Sequence, residues 1–245
     1  MRPLLTLFPL LALSLGVLAR PSGPRRVADI PAPAGCIRVE LAPGSYASWL
    51  RNMPLKPDNT IRAHDGLEVE SGFYRVLAVP ALPLLFRDDL EQCADWCFRF
   101  WAEYHRDAGR LDRLYLLDYG GNRRPFPNSG KSYRSFLRWA MASANSHSLK
   151  RGCSPVVTSD LIPGDMLVQN RGGGIGHVSV VLDACRDSAG SRHYLMGYGY
   201  MPAQEFHIER ADSAHGPEGW FTLEGYLAYL ERHFDYGRPE PRRFR

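Results

Sequence analysis

The sequence predicts an α+β protein in which helices and strands are grouped along the chain. An amphipathic helix in the first half is followed by a run of alternating strands in the last third. Neither an internal repeat nor a low-complexity tract interrupts the 245 residues. This order is typical of an antiparallel sheet with helices packed against it.

The N-terminal stretch has the pattern of a cleaved bacterial-type signal peptide. Arg2 precedes a charge-free, mostly apolar run from Leu4 to Leu18, and Ala19 supplies a small residue at the cleavage point. This run is shorter than the ~20 residues that a membrane-spanning helix needs. We therefore expect a secreted or periplasmic protein without a membrane span. The predicted divisions are a signal peptide at 1–19, a Pro-rich linker at 20–44, one domain at 45–238 and a basic tail at 239–245.

The charge of the chain excludes one class of partner. The formal net charge is +4, and the basic residues are scattered except for short clusters at 25–26, 123–124 and 242–245. A nucleic-acid-binding surface would require a stripe of them, so we expect no nucleic-acid partner. A mild positive surplus suits a protein that works beside anionic polymers of the cell envelope.

Four helices are predicted from apolar spacing and caps. The strongest pattern spans Asp88 to His105, where an acidic first turn precedes apolar residues at i, i+3, i+4 and i+7. Shorter helices are predicted at 45–50, where Ser45 is the cap, at 132–144 and at 223–233.

Strands are predicted where apolar residues alternate between glycine-rich or polar turns. They cover about 36–41, 74–79, 165–169, 177–183, 192–197 and 205–209. The last four are close together in sequence and predict an antiparallel sheet.

Two residues suggest nucleophilic chemistry. Cys93 is predicted about one turn into the strongest helix, near the positive end of the helix dipole, which stabilises a thiolate. His177 opens a strand directly after the glycines at 172–174. A histidine at the sheet edge that faces this helix start would supply the base of a Cys–His pair. A buried structural cysteine, or half of a disulfide, and a histidine bound by backbone are the structural alternatives.

The motifs around these residues resemble those of the NlpC-type and CHAP-type papain-like cell-wall peptidases and amidases. They are Gln92-Cys93-Ala94-Asp95, Pro163-Gly164-Asp165-Met166 and Gly176-His177-Val178-Ser179. The resemblance implies a papain-like fold, with the helix that carries Cys93 packed on an antiparallel sheet. Together with Pro54-Leu55-Lys56-Pro57 and Tyr200-Met201-Pro202-Ala203-Gln204, the motifs are closer to an uncharacterised bacterial exported family, a domain of unknown function, over residues 49–220. That family brings no established activity.

The sequence departs from the NlpC-type pattern at two places. The usual Asp-Cys-Ser is replaced by Gln92-Cys93-Ala94, and the third polar group after the histidine strand is replaced by Gly197-Tyr198-Gly199-Tyr200. We expect the residue that orients His177 to be Gln204, then His207, then Tyr198, because any acceptor for the second ring N–H fixes the tautomer. Gln92, Tyr198 and Tyr200 are the predicted substrate-binding residues.

Two functions remain open. In the first, an exported thiol hydrolase cleaves an amide bond, plausibly in peptidoglycan, with Cys93 as nucleophile, His177 as base and Gln92 beside the oxyanion. In the second, a catalytically silent papain-like domain binds a cell-envelope peptide or glycan. Neither needs a cofactor. No metal site is expected, because the zinc-like gap between Cys93 and Cys97 has no second close Cys or His pair to complete it.

The five cysteines predict at least one free thiol, since an exported chain can form disulfides and five is an odd number. We expect Cys93 to be unpaired and Cys97 to lie in the core. Cys153 and Cys185 flank the first sheet strands and are the preferred candidates for a bridge, and Cys36 is left open.

Overall fold

The computed structural model describes residues 23–70 and 72–245, so the predicted signal peptide lies outside the described residues. The fold is α+β and rich in sheet. The described helices are α1 (Tyr46–Arg51), α2 (Cys93–Asp107), α3 (Tyr133–Ser143), α4 (Ser146–Gly152) and α5 (Leu223–His233). None of these helices combines the length and the apolar character required to span a bilayer.

The described strands are antiparallel throughout. They are β1 (Ile37–Arg38), β2 (Val76–Ala78), β3 (Tyr115–Leu117), β4 (Arg123–Pro125), β5 (Ser154–Pro155), β6 (Met166–Gln169), β7 (His177–Arg186), β8 (Arg192–Tyr198), β9 (His207–Glu209), β10 (Phe221–Thr222) and β11 (Glu240–Arg243). The main sheet has the order β2-β9-β8-β7-β6-β11-β5, with β1 beside β7 and β10 beside β8. The strands β3 and β4 form a separate hairpin.

The central strand β7 separates two apolar cores. Successive side chains of a strand point to opposite faces of the sheet. Val178 and Val180 belong to the core that contains α2, whereas Val181 belongs to the core that contains α5. His177 shares its face with Val181, and its ring stacks on Phe234, just after α5.

The helix α2 begins later than its sequence pattern predicts. The pattern starts at Asp88, but Gln92 has an extended backbone, with φ −93° and ψ −168°, and is the N-cap. The Gln92 backbone N–H donates to the Asp95 side chain at 3.1 Å, which completes a capping box. Cys93 is therefore the first residue of the helix, one turn closer to its positive end than predicted.

A buried ion cluster also positions α2. The Arg99 side chain contacts Glu91 at 2.7 Å and Glu103 at 2.6 Å, and all three side chains are at most 5% exposed. Glu91 in turn accepts the backbone N–H of Phe86 at 2.9 Å. The cluster ties the segment before the helix to its middle and holds the N-cap in place.

Both predicted terminal segments pack against the domain in the structure. Within the predicted linker, Val27 and Ile30 are buried, and Ile37–Arg38 forms β1, inside the strand predicted at about 36–41. The predicted basic tail forms β11, between β6 and β5, and Arg243 pairs with the buried Asp165. A count of prolines and arginines could not reveal these contacts, because strand partners and a buried carboxylate at a distance in sequence create them.

Candidate functional site

A cavity of about 590 Å³ lies at the N-terminal end of α2. Its volume is in the range of small-molecule and peptide sites. The start of α2, the α3–α4 junction, the glycine loop before β7 and the segment after β8 form its walls. The lining residues are Asp89, Leu90, Gln92, Cys93, Ala94, Asp95, Met141, Ala142, Ala144, Asn145, Ser146, Gly174, Ile175, Gly176, Tyr200 and Met201.

The Cys93 thiol lies at the cavity wall with only 8% of the residue exposed. Its Sγ donates to the Gly176 carbonyl at 3.7 Å. Burial raises the pKa of Cys93 to about 12, with a smaller contribution from Asp95 that acts in the same direction. The position at the helix N-terminus does not offset this desolvation, so Cys93 is a neutral thiol at physiological pH.

The His177 ring is sealed from solvent. It stacks on Phe234 with ring centroids 3.9 Å apart and planes 5° from parallel, and the residue is 0% exposed. Its Nε2 lies 3.3 Å from the Ser179 hydroxyl oxygen, while its Nδ1 has no hydrogen-bond partner among the described residues. Burial, with a smaller contribution from the nearby His207, lowers the pKa of His177 to about 3. The imidazole is therefore neutral.

Cys93 and His177 lie at the same end of β7 but are not hydrogen-bonded to each other. The Cys93 sulfur contacts Gly176, the residue directly before His177. Within the described residues no hydrogen bond joins the sulfur to the ring, and His177 is not part of the cavity lining. The structure thus brings the two residues to the same end of β7 and leaves the imidazole under the α5 face.

Ser179 lies within hydrogen-bond distance of a His177 ring nitrogen, whereas the expected orienting residues contact other groups in this structure. The Gln204 amide N–H donates to the Tyr74 hydroxyl at 3.1 Å. His207 Nε2 lies 3.1 Å from Glu209, which also accepts the Tyr198 hydroxyl at 3.2 Å. Ser179 follows His177 by two residues on the same strand face, and this period-two spacing was a usable signal in the sequence.

Two of the three predicted substrate-binding residues line the cavity. Gln92 and Tyr200 belong to its wall, and the Gln92 side-chain N–H donates to Asp89 at 3.0 Å. Tyr198 is 0% exposed, with its ring 5.1 Å from that of His177, and it cannot contact a ligand in this arrangement.

Asp95 is a cavity residue that the sequence reasoning missed. It is 7% exposed, and its Oδ1 has no hydrogen-bond partner among the described residues. Burial raises its pKa well above the usual aspartate value, while the backbone N–H of Gln92 acts in the opposite direction. The capping-box spacing of Gln92 and Asp95 was the available signal.

The structure contains all five cysteines as free thiols, and the two members of the predicted Cys153–Cys185 bridge have different neighbours. Cys153 follows α4, where Arg123 and Arg242 are its charged neighbours, whereas Cys185 lies on β7 beside Cys36 and Arg38. Across residues 23–70 and 72–245, no group of three or more His, Cys, Asp or Glu side chains is arranged to hold a metal ion.

Comparison with known proteins identifies the family of the chain but does not assign an activity to it. Neither a curated protein nor a solved structure matches the chain. A family model described as "Domain of unknown function (4846)" matches residues 27–128 and 119–237, a span that contains Cys93, His177 and the cavity lining. The expected likeness to an uncharacterised family is thereby confirmed, whereas no match supports the papain-like superfamily. The chain belongs to the family described as domain of unknown function (4846).

Proposed function

We propose that this protein is a binding domain of the cell envelope and that the cavity beside Cys93 takes a peptide. Two observations together carry the proposal. An accessible cavity of about 590 Å³ lies beside Cys93, and the Cys93 thiol and the His177 imidazole are both neutral and not hydrogen-bonded to each other. A cavity of this size accommodates a few amino-acid residues. The location outside the cytoplasm follows from the sequence pattern of residues 1–19 and is part of the proposal.

The chemistry of the wall favours a peptide over a glycan. Asn145 and Gln92 offer amide groups for hydrogen bonds, and Met141 and Met201 offer flexible apolar surface that adapts to varied side chains. Tyr200 is the one aromatic residue among those that line the cavity, so stacking on sugar rings has little support.

Binding without cleavage accounts for the protonation states. A thiol with a pKa of about 12 and an imidazole with a pKa of about 3 leave almost no thiolate–imidazolium pair at neutral pH. Proton transfer from Cys93 to His177 would be strongly uphill, since each unit of pKa difference costs about 1.4 kcal/mol. In this arrangement Cys93 contributes surface to the cavity wall rather than a nucleophile.

Calorimetric titration tests the binding proposal with three soluble probes: a peptidoglycan stem peptide, the same peptide on its disaccharide, and the disaccharide alone. We expect the two peptide-bearing probes to bind with similar Kd and the disaccharide not to bind. Binding of the disaccharide alone, or of no probe, would contradict the proposal.

Two glycine variants provide a matched control for the location. Gly174 lines the cavity, and a Cβ added there meets open space, as it does at Gly172 of the same loop, which is not part of the lining. We expect Gly174→Leu to weaken peptide binding by about tenfold or more because its side chain occupies the cavity. Gly172→Leu should bind as the wild type does.

One observation favours thiol hydrolysis as a second candidate. The His177 Nδ1 has no partner, and the Cys93 sulfur contacts the residue next to His177. A shift that joins them would let Nδ1 take the thiol proton while sulfur adds to an amide carbonyl. The amine would leave with that proton, and water would then release the acid from the thioester.

Mass spectrometry of the same probes separates the two candidates. Hydrolysis predicts that wild-type protein cleaves an amide bond of the stem peptide and that Cys93→Ala binds the peptide without cleaving it. The binding proposal predicts intact peptide with both proteins and similar affinity for both.

A further inference from the structure

The N-terminal strand brings a second pair of cysteines together, far from the cavity. Strand β1 runs antiparallel to β7, with Ile37 opposite Arg186 and Arg38 opposite Cys185. Cys36 directly precedes β1, so it is the diagonal neighbour of Cys185 on the same face of the sheet. Residues at diagonal positions of an antiparallel pair are ~7–8 Å apart, so a small backbone adjustment brings two such cysteines to the Cα separation of a disulfide.

The two thiols are close enough to influence each other. After burial, the nearby Cys36 thiol is the largest cause of the raised pKa of Cys185. Cys185 is fully buried in the core that contains α2, and the partly buried Cys36 packs against that core. In contrast, the sulfur atoms of Cys93 and Cys97 contact backbone carbonyls.

The surroundings hold this pair in register. Arg38 donates to the buried Asp183 at 2.6 Å, and Arg51 donates to the other oxygen of the same carboxylate at 2.7 Å. The Val39 backbone N–H donates to the Ala184 carbonyl at 3.0 Å. These contacts all lie on the N-terminal side of Cys185 in β7, and they fix the register that places Cys36 beside Cys185.

We propose that Cys36 and Cys185 form a disulfide that anchors the N-terminal segment to β7 when the protein folds in an oxidising compartment. The bridge joins residues far apart in sequence and leaves Cys93, Cys97 and Cys153 as thiols. It therefore accounts for the odd number of cysteines and keeps the cavity thiol free. The inference is independent of the proposed ligand.

The oxidant is a small-molecule or protein disulfide. One thiol of the pair attacks it and forms a mixed disulfide, and one reagent thiol leaves. The second thiol then attacks the mixed disulfide, so that the Cys36–Cys185 bond forms and the second reagent thiol leaves; the reagent takes up both electrons and both protons. Burial raises the pKa of Cys185 to about 12, so the exchange belongs to folding, before the core closes.

Peptide mapping after oxidative refolding tests the bridge. The reduced, unfolded protein is refolded with oxidised and reduced glutathione, alkylated in denaturant without reduction, and digested. We expect one linked peptide pair, containing Cys36 and Cys185, and alkylated peptides for the other three cysteines. Alkylation of both Cys36 and Cys185, or a bridge from either one to another cysteine, would overturn the proposal.

Thermal unfolding with and without reductant provides a second measurement. We expect reduction to lower the Tm of the refolded wild type by roughly 5 °C or more, because the bridge closes a long loop of the unfolded chain. Cys36→Ser, at a partly buried position, should fold and show no such shift. A shift of equal size in Cys36→Ser would contradict the proposal.

Discussion

At the scale of single residues, the environment of Cys93 decides its chemistry more than its position in the helix does. The first position of a helix lowers the pKa of a thiol, but the dipole effect is modest, whereas full burial disfavours the thiolate strongly. For Cys93 burial is the larger effect, and its pKa rises to about 12. His177 follows the same logic in the opposite direction, since burial keeps its ring neutral.

We predict that iodoacetamide alkylates Cys93 in the folded, reduced protein at least about 100-fold more slowly at pH 8 than it alkylates a model thiol. The physical reason is the small thiolate fraction of a group whose pKa is about 12, added to its 8% exposure. Timed alkylation followed by peptide mapping measures the rate, with urea-unfolded protein as the reference. Labelling faster than the model thiol would favour the hydrolase.

At the scale of secondary-structure elements, the start of α2 is set by contacts that its own sequence pattern does not contain. The acidic residues before Cys93 match a first helical turn, yet Glu91 instead binds Arg99 and the backbone of Phe86. Gln92 then caps the helix with an extended backbone. The helix therefore presents Cys93, rather than Asp88, at its positive end.

We predict that Arg99→Met lowers the free energy of unfolding by about 3–5 kcal/mol at neutral pH, because it leaves the buried Glu91 carboxylate without an ionic partner and removes one of the two arginines that contact Glu103. Burial already holds the Glu91 pKa above its usual value. When the pKa of a carboxyl group is higher in the folded state than in the unfolded state, the free energy of unfolding falls as the pH rises from the unfolded pKa to the folded pKa. The penalty in the variant should be smallest near or below pH ~4.5 and grow toward pH 7.

Urea unfolding from pH 4 to pH 8 measures this dependence. Arg124→Met is the matched control, because its pair with Asp118 has a largely exposed arginine, 57% for the side chain, and should contribute little. An equal loss of stability in both variants, or a pH-independent loss in Arg99→Met, would contradict the account of the buried cluster.

At the scale of the whole molecule, the sheet divides the protein into two cores, and the site residues are split between them. Cys93 lies at the end of the α2 core, while His177, Tyr198 and His207 lie in the α5 core. The second core has buried polar groups, including Glu209 at 0% exposure and the two histidines. Among these groups, the burial of His177 lowers its pKa and so links the stability of this core to pH.

We predict that His177 makes folding stability fall in acid. Its folded pKa of about 3 lies below the usual 6.5, so the unfolded chain binds the proton first. The contribution is fully present above pH ~6.5 and is lost as pH falls toward 3, up to about 4 kcal/mol. His177→Gln should flatten the acid limb of a plot of unfolding free energy against pH, whereas His64→Gln, at a half-buried site, should preserve it.

Chemical denaturation at pH intervals between 3.5 and 7.5 gives this plot, and the chemical shift of the His177 ring protons checks the cause. The ring should remain neutral down to at least pH 4 in the folded protein. Protonation of His177 near pH 6.5 would show that the ring is reached by water and would contradict both the burial argument and the expected acid limb.

The local pattern of the sequence was sufficient for the elements whose signals are local. Capping residues and apolar spacing predicted α1, α3 and α5 closely, and alternation predicted β6, β7 and β8, because one face of each element must be buried. The motifs around Cys93 and His177 also predicted the uncharacterised family. They singled out two residues that the structure brings to the same end of β7.

Tertiary structure decided the rest, since it depends on partners distant in the chain. Whether His177 faces α2 or α5 follows from the register of β7 in the sheet, and a shift of one residue would reverse the answer. The C-terminal segment 240–243 became strand β11 because it pairs with β6, and the position of the predicted strand β1 in the sheet was set by its pairing with β7. Protonation states were decided in the same way, because desolvation is a property of the packed neighbours and not of the residue itself.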